Sequence, residues 1–334
     1  MLLQEIELTS LMSPSGLSSL LLFSLPFMLS FAAAANAPCS LDYAREEAIG
    51  AENGLPQCRN VLDLLKHAHR HHRNGPIVMI DDQKPCQIHW YSASEACTFL
   101  STPKPTMLVF VGDSMSRHFM HSFQHLLRGD PVLGAMREDT PPKVLKNCSC
   151  DLQFESKACR QWVLWDSHNL TTQPCPGGRI VYMEALHDGQ VAPQAIADLV
   201  ESHRSGGGRS VSVLGGYGLH NLLQAKPVFY TLVKPLWDLV QPYLGKDIEL
   251  IVLSVHSLQD NVLEKYRENM NNRRVSQYNT LMARLCRQSS PTIPFFDTFS
   301  ITSQSNSFDG VHYGFSVNLL KAQLLLSFIK EAFI

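Results

Sequence analysis

The chain is 334 residues long, 45% hydrophobic and 17% charged, with a formal net charge of −2. That length holds one large domain or two modest ones, and the apolar content excludes a disordered chain. A charge this close to balance, with no extended basic patch, excludes nucleic acid as an expected partner.

Residues 1–37 carry an apolar stretch from Leu17 to Ala35, broken by Ser18, Ser19, Ser24, Pro26 and Ser30. It ends in Ala32-Ala33-Ala34-Ala35-Asn36-Ala37, small residues of the kind signal peptidase accepts. No Lys or Arg precedes Arg45, which removes positive-inside support for an anchor and also leaves the signal without a basic leader. A cleaved signal is the favoured reading. An uncleaved signal anchor, and with it membrane attachment, is the alternative. Either way the remaining chain is expected to be secreted or in the lumen of the secretory pathway.

All nine cysteines follow this segment, from Cys39 and Cys58 to Cys286. Four of them, Cys148, Cys150, Cys159 and Cys175, crowd together without the Cys-x-x-Cys knuckles of a zinc site. Disulfides in an oxidising compartment are the expected use. The odd count leaves a free thiol or an intermolecular bridge, and Cys286, inside a helical pattern, is the candidate for a buried free cysteine. Asn147-Cys148-Ser149 and Asn169-Leu170-Thr171 are glycosylation sequons in the same stretch. His67 and His71 have helical i,i+4 spacing, but no carboxylate or cysteine accompanies them at motif spacing. A solvated helix end is expected there, and no metal or other cofactor.

Residues 38–105 read as a cysteine-containing lead-in. From residue 106 to 334 short apolar strands alternate with amphipathic helices. Strands are expected at 107–111, 179–184, 210–214, 248–254 and 293–296, and helices at 115–128, 193–205, 226–244, 273–288 and 316–333. Pro193 suits a first helical turn, and Gly206-Gly207-Gly208 is a strong stop. Such alternation implies an α/β fold: parallel strands, right-handed crossovers and helices on both faces. Residues 129–178 interrupt it as a disulfide-tied insertion. Its Trp162 and Trp165 suit stacking on a sugar ring and packing around a disulfide core about equally. The last helix shows Leu319, Leu320, Leu324, Leu325 and Phe328 as one apolar face, with Lys321 and Lys330 arguing against a membrane span.

In a parallel sheet the strand C-terminal ends share one edge, where ligands bind. Gly112-Asp113-Ser114 follows the strand at 107–111 and opens a helix, so Ser114 is placed as a nucleophile. It lacks the Gly-x-Ser-x-Gly elbow of common α/β hydrolases. After the last strand, Asp309-Gly310-Val311-His312 offers His312 as base and Asp309, three residues earlier, to orient the ring. His118 and His256 are less suited, the first on a helix turn and the second without a nearby carboxylate. Oxyanion and substrate contacts are sought at Gly112, Asp113, Gly189, Gly218, His220 and Asn221, and at the Ser114 backbone N–H. The bland alternative is a helix cap at Asp113 or Ser114.

These blocks resemble the SGNH/GDSL hydrolase superfamily. Cys97-Thr98-Phe99-Leu100 followed by Val109-Phe110-Val111-Gly112-Asp113-Ser114-Met115-Ser116-Arg117, with Asp309-Gly310-Val311-His312-Tyr313, is similar to its PC-esterase group. That group includes the trichome-birefringence-like and sialate O-acetyltransferase-like proteins. The resemblance implies a three-layer α/β/α sandwich on a mainly parallel five-stranded sheet, and a Ser114–Asp309–His312 triad. Arg117 fits the group's Gly-Asp-Ser-x-x-Arg pattern without a firm role. Gly218-Leu219-His220-Asn221 stands where Gly-x-Asn-Asp is usual, leaving Asn221 and His220 as competing donors. Tyr313-Gly314 in place of the plant Trp-Cys ending points to the non-plant branch.

The function implied is a serine O-acyl (acetyl) esterase or O-acetyltransferase acting on carbohydrate, its partner an O-acylated glycan or small ester. The competing reading is an inactive glycan-binding surface protein on the same fold.

Overall fold

The computed structural model describes residues 89–333 except 156, 168–174, 176, 187–189, 246 and 304, with the backbone of 78–81 and 84–87. The N-terminal apolar segment, the His67–His71 pair, Gly189 and Asn169 lie outside the described residues. Strands β1 (Val78–Asp81) and β2 (Lys84–Gln87) form an antiparallel pair. The main sheet contains β3 (Thr106–Gly112), β4 (Arg179–Glu184), β5 (Arg209–Gly215), β6 (Ile248–Leu253) and β7 (Phe295–Phe296). Its order is β4-β3-β5-β6-β7, and every pairing is parallel.

Strand β3 is buried along its whole length, as its unbroken apolar run requires of a central parallel strand. Its side chains alternate between two cores. Leu108 and Phe110 join one core with Phe119, Phe123, Leu324 and Leu325. Met107, Val109 and Val111 join the other with Ile196, Leu236, Trp237 and Met282. Helices Ser114–Arg128 and Phe315–Phe333 therefore cover one face, and Pro193–Ser205, Lys234–Val240 and Asn272–Gln288 the other. This is the expected three-layer sandwich. None of these helices, nor any other among the described residues, is long and apolar enough to cross a membrane.

The one long helix expected at 226–244 is instead broken into Ala225–Val228, a π turn at Phe229–Val233, Lys234–Val240 and a 3₁₀ turn at Gln241–Tyr243. Pro235 and Pro242 cannot donate to the i→i−4 ladder, and the wider turn absorbs the defect: the Lys234 N–H reaches back to Phe229 O. Similarly, β7 shortens to two residues after Pro294, which has no N–H for a ladder.

Two disulfides join described cysteines. Cys148–Cys159 closes a loop inside the insertion, and Cys97–Cys175 ties the insertion's end to helix Ala93–Ser101. Cys150 is also disulfide-bonded, and Cys286 is a buried free thiol. These bridges suit an oxidising compartment. Trp162 packs against the small core around Cys148 and Cys159, and Trp165 against the main core beside Tyr182. Tyr91 and Ala96, N-terminal to residue 106, belong to the same core as Phe110.

Among the described residues four histidines are buried: His118, His121, His125 and His256. Burial holds His118, His121 and His256 well below the ordinary 6.5 and brings His125 to about 4. The unfolded chain then binds protons that the folded chain refuses, so stability is present above 6.5 and lost as pH falls below it. Burial also pushes Asp113 up to about 8 and Glu249 up to about 7, which favours the folded state as pH falls, but four rings outweigh two carboxyls. The free energy of urea unfolding is expected to be about 2–5 kcal/mol lower at pH 5 than at pH 7. Equal values at the two pH values would contradict neutral burial of these rings.

Candidate active site

Gly112 ends β3 opposite both Gly215 of β5 and Glu184 of β4. A Cβ on Gly112 would lie 1.7 Å from the Gly215 carbonyl oxygen, so only glycine lets the strands close here. The Tyr182 hydroxyl lies 2.8 Å from the carbonyl oxygens of Gly112 and of Asp113 and steadies this corner. Asp113 is the N-cap of helix Ser114–Arg128: its Oδ1 accepts from Met115 N at 2.9 Å. The cap reading therefore holds for Asp113, leaving Ser114 as the first helical residue. Asp113 Oδ1 is also packed on Gly216, where an added Cβ would come within 1.9 Å.

Ser114 is half-buried, and its Oγ lies 2.7 Å from His312 Nε2. His312 Nδ1 lies 2.6 Å from Asp309 Oδ2. The other oxygen, Asp309 Oδ1, accepts from Val311 N at 2.9 Å and His312 N at 2.7 Å. An Asx turn therefore points the carboxylate at its own histidine, which is why three-residue spacing works. Gly310 takes φ +86°, and a Cβ there would meet Val262 N at 2.2 Å. Burial works against ionisation of Asp309, yet the hydrogen bonds and charge of His312 and the two amides hold its carboxyl below the usual range. With Nδ1–H donated to this carboxylate, Nε2 is left to accept the Ser114 hydroxyl proton. Aspartate, imidazole and hydroxyl form one hydrogen-bonded chain at the sheet's C-terminal edge.

The other expected residues are more scattered in role. Arg117 is buried, with Nη1 3.4 Å from Glu184 Oε1 and Nη2 3.5 Å from His118 Nε2. Gly218 is packed against Val255, Leu223 and Tyr278, so its lack of a side chain serves the core. His220 is exposed at the end of the short helix Tyr217–His220, and Asn221 follows half-buried. Asn147, in the first sequon, is exposed. Neither His118 nor His256 occupies the base position, but both pack near it. The His118 ring lies 4.9 Å from that of His312, and Phe308 stacks on His312 at 5.9 Å. His256 Nε2 lies 2.5 Å from Val311 O. Among the described residues, no group of three or more His, Cys, Asp or Glu is arranged to hold a metal ion.

No family model matches the sequence, and neither does any curated protein. Among solved structures, a lipase/acylhydrolase from Enterococcus faecalis is 10% identical, covering 68% of this chain and 95% of its own, with a TM-score of 0.34. A GDSL-like lipase from Bacteroides thetaiotaomicron is 13% identical over 72% and 95%, with a TM-score of 0.34. A carbohydrate acetylesterase from Sinorhizobium meliloti is 12% identical over 68% and 99%, with a TM-score of 0.38. At TM-scores below 0.5 these likenesses carry no weight for activity.

Proposed function

We propose that this chain is a serine-dependent O-acyl esterase or O-acetyltransferase acting on carbohydrate esters, with Ser114 as nucleophile. The observation that carries this reading is the unbroken chain from Ser114 Oγ through His312 to Asp309, at 2.7 and 2.6 Å. His312 Nε2 takes the hydroxyl proton as Oγ attacks the ester carbonyl. The tetrahedral oxyanion develops beside the N-terminus of helix Ser114–Arg128, where the Ser114 N–H and the helix dipole favour negative charge. Collapse expels the alkoxide, which takes the proton from His312, and leaves the acyl group on Oγ. Water or a sugar hydroxyl then attacks the acyl-serine, giving up its proton to His312, and the free Ser114 returns. Hydrolase and transferase share every step except the identity of this second nucleophile.

The disulfides and the two sequons support a place of action in the secretory pathway or outside the cell, with residues 1–37 as its signal. Turnover is the test. The purified chain is given 4-nitrophenyl acetate, with and without oligosaccharide acceptors, while nitrophenolate, acetate and acetylated sugar are measured. Nitrophenolate release absent from Ser114→Ala is expected, and acetylated sugar identifies the transferase. An inactive wild-type chain that still binds oligosaccharide, unaffected by Ser114→Ala, supports the glycan-binding alternative instead.

A further inference from the structure

The loop bearing His312 is held by its backbone carbonyls. Gly310 O accepts from Gln259 N at 2.9 Å, and His312 O accepts from Ser307 Oγ at 2.7 Å and Phe308 N at 3.2 Å. Val311 O and Tyr313 O depend on two side chains, and Gly314 O accepts from one of them besides the Asn318 N–H at 3.3 Å. His256 Nε2 serves Val311 O at 2.5 Å, and Asn318 Nδ2 serves Tyr313 O at 2.7 Å and Gly314 O at 3.0 Å.

Both of those side chains can bind the wrong way round. An imidazole with its proton on Nδ1 presents a lone pair to Val311 O, and a flipped Asn318 presents oxygen to two carbonyls. Lys321 decides both. Its Nζ lies 3.2 Å from His256 Nδ1 and 3.3 Å from Asn318 Oδ1; burial pulls its pKa down to about 7, and below that pH it is an ammonium, which can only donate. His256 Nδ1 must then accept, which puts the ring proton on Nε2 facing Val311 O. Asn318 must present oxygen to Lys321, which turns its NH₂ to the Tyr313 and Gly314 carbonyls. The Lys321 side chain is buried, and among the described residues no carboxylate pairs with it. Its ammonium instead lies 5.4 Å from the centre of the Tyr313 ring. A buried lysine without a counter-ion is costly.

We propose that Lys321 is the positioning residue of the His312 loop, fixing the His256 tautomer and the Asn318 amide so that carbonyls on both sides of His312 are held. This rests on the reading of His312 as the base, and it concerns residues that make no hydrogen bond to Ser114.

The test uses the full-length protein, with ¹⁵N-histidine labelling and 4-nitrophenyl acetate as the probe. Wild type is expected to give the Nε2–H tautomer for His256, and Lys321→Met a mixture of both tautomers. Lys321→Met is expected to lower kcat about 10–100-fold with KM changed less than about threefold, because a displaced base fails in the transition state rather than in binding. His256→Gln, which keeps a donor for Val311 O, is expected to retain more activity than His256→Phe. Should Lys321→Met fail to fold, Lys321→Gln serves, since it adds an acceptor and releases the same two constraints. Unchanged kcat together with an unchanged His256 tautomer would overturn the proposal. A wild-type protein without turnover overturns the catalytic reading instead, and the tautomer measurement still decides the role of Lys321.

Discussion

Ser114→Ala and His312→Ala are each expected to lower kcat on 4-nitrophenyl acetate by about 10³–10⁶-fold, and the double variant to fall no further. The two side chains act as one unit: without His312 Nε2 at 2.7 Å, the Ser114 hydroxyl keeps its proton and is a poor nucleophile. Without Ser114, the base has nothing to activate except water. Independent contributions would multiply, so a double variant much worse than either single one would argue that the 2.7 Å contact is incidental. Folding is not at risk in either substitution. Ser114 and His312 lie at a half-buried edge, and the helix cap comes from Asp113.

Asp309→Asn is expected to cost about 10³–10⁴-fold in kcat while leaving the fold and KM nearly unchanged. Asparagine keeps an Oδ1 for the Val311 and His312 amides, so the turn that Asp309 builds can survive. Its NH₂ replaces the oxygen now 2.6 Å from His312 Nδ1. An amide N–H donates, so Nδ1 must accept and the ring proton moves to Nε2, where it faces Ser114 Oγ instead of receiving its proton. Asp309→Ala removes the turn as well, and a loss of stability should accompany its loss of activity. Steady-state kinetics and a urea titration of both variants separate the two roles. Asp309→Asn within about tenfold of wild type would show that the carboxylate does not set the tautomer.

Much of this architecture is legible in the residues themselves. The strands at Arg179–Glu184 and the helix at Pro193–Ser205 fall where apolar runs, Pro193 and the glycine stop put them. Residues that carry local chemistry declare themselves: Gly112-Asp113-Ser114 at a strand-to-helix corner, and Asp309 three residues before His312. The break in the helix at 226–244 is less legible, because apolar periodicity runs on through Pro235 while the backbone cannot.

The Lys321 network has no sequence signal at all. A lysine in an amphipathic helix reads as solvent-facing, yet Lys321 and Gln323 are buried. The reason is tertiary. Tyr91, from the lead-in, exchanges two hydrogen bonds with Gln323, at 2.7 and 3.0 Å, while Lys321 turns to His256 and the Tyr313 ring. A contact across 232 residues leaves no trace in local periodicity. His256 likewise acquires its role only where β6 brings it beneath Val311.

The nucleophile can be read directly by mass spectrometry. The purified chain is treated with a fluorophosphonate, digested, and its peptides sequenced, with His312→Ala and Asp309→Asn treated in parallel. A phosphonate adduct on Ser114 alone, slowed by about 10²-fold or more in His312→Ala, is the expected result. Unmodified Ser114, or an adduct that forms equally fast without His312, would contradict a serine activated by this histidine.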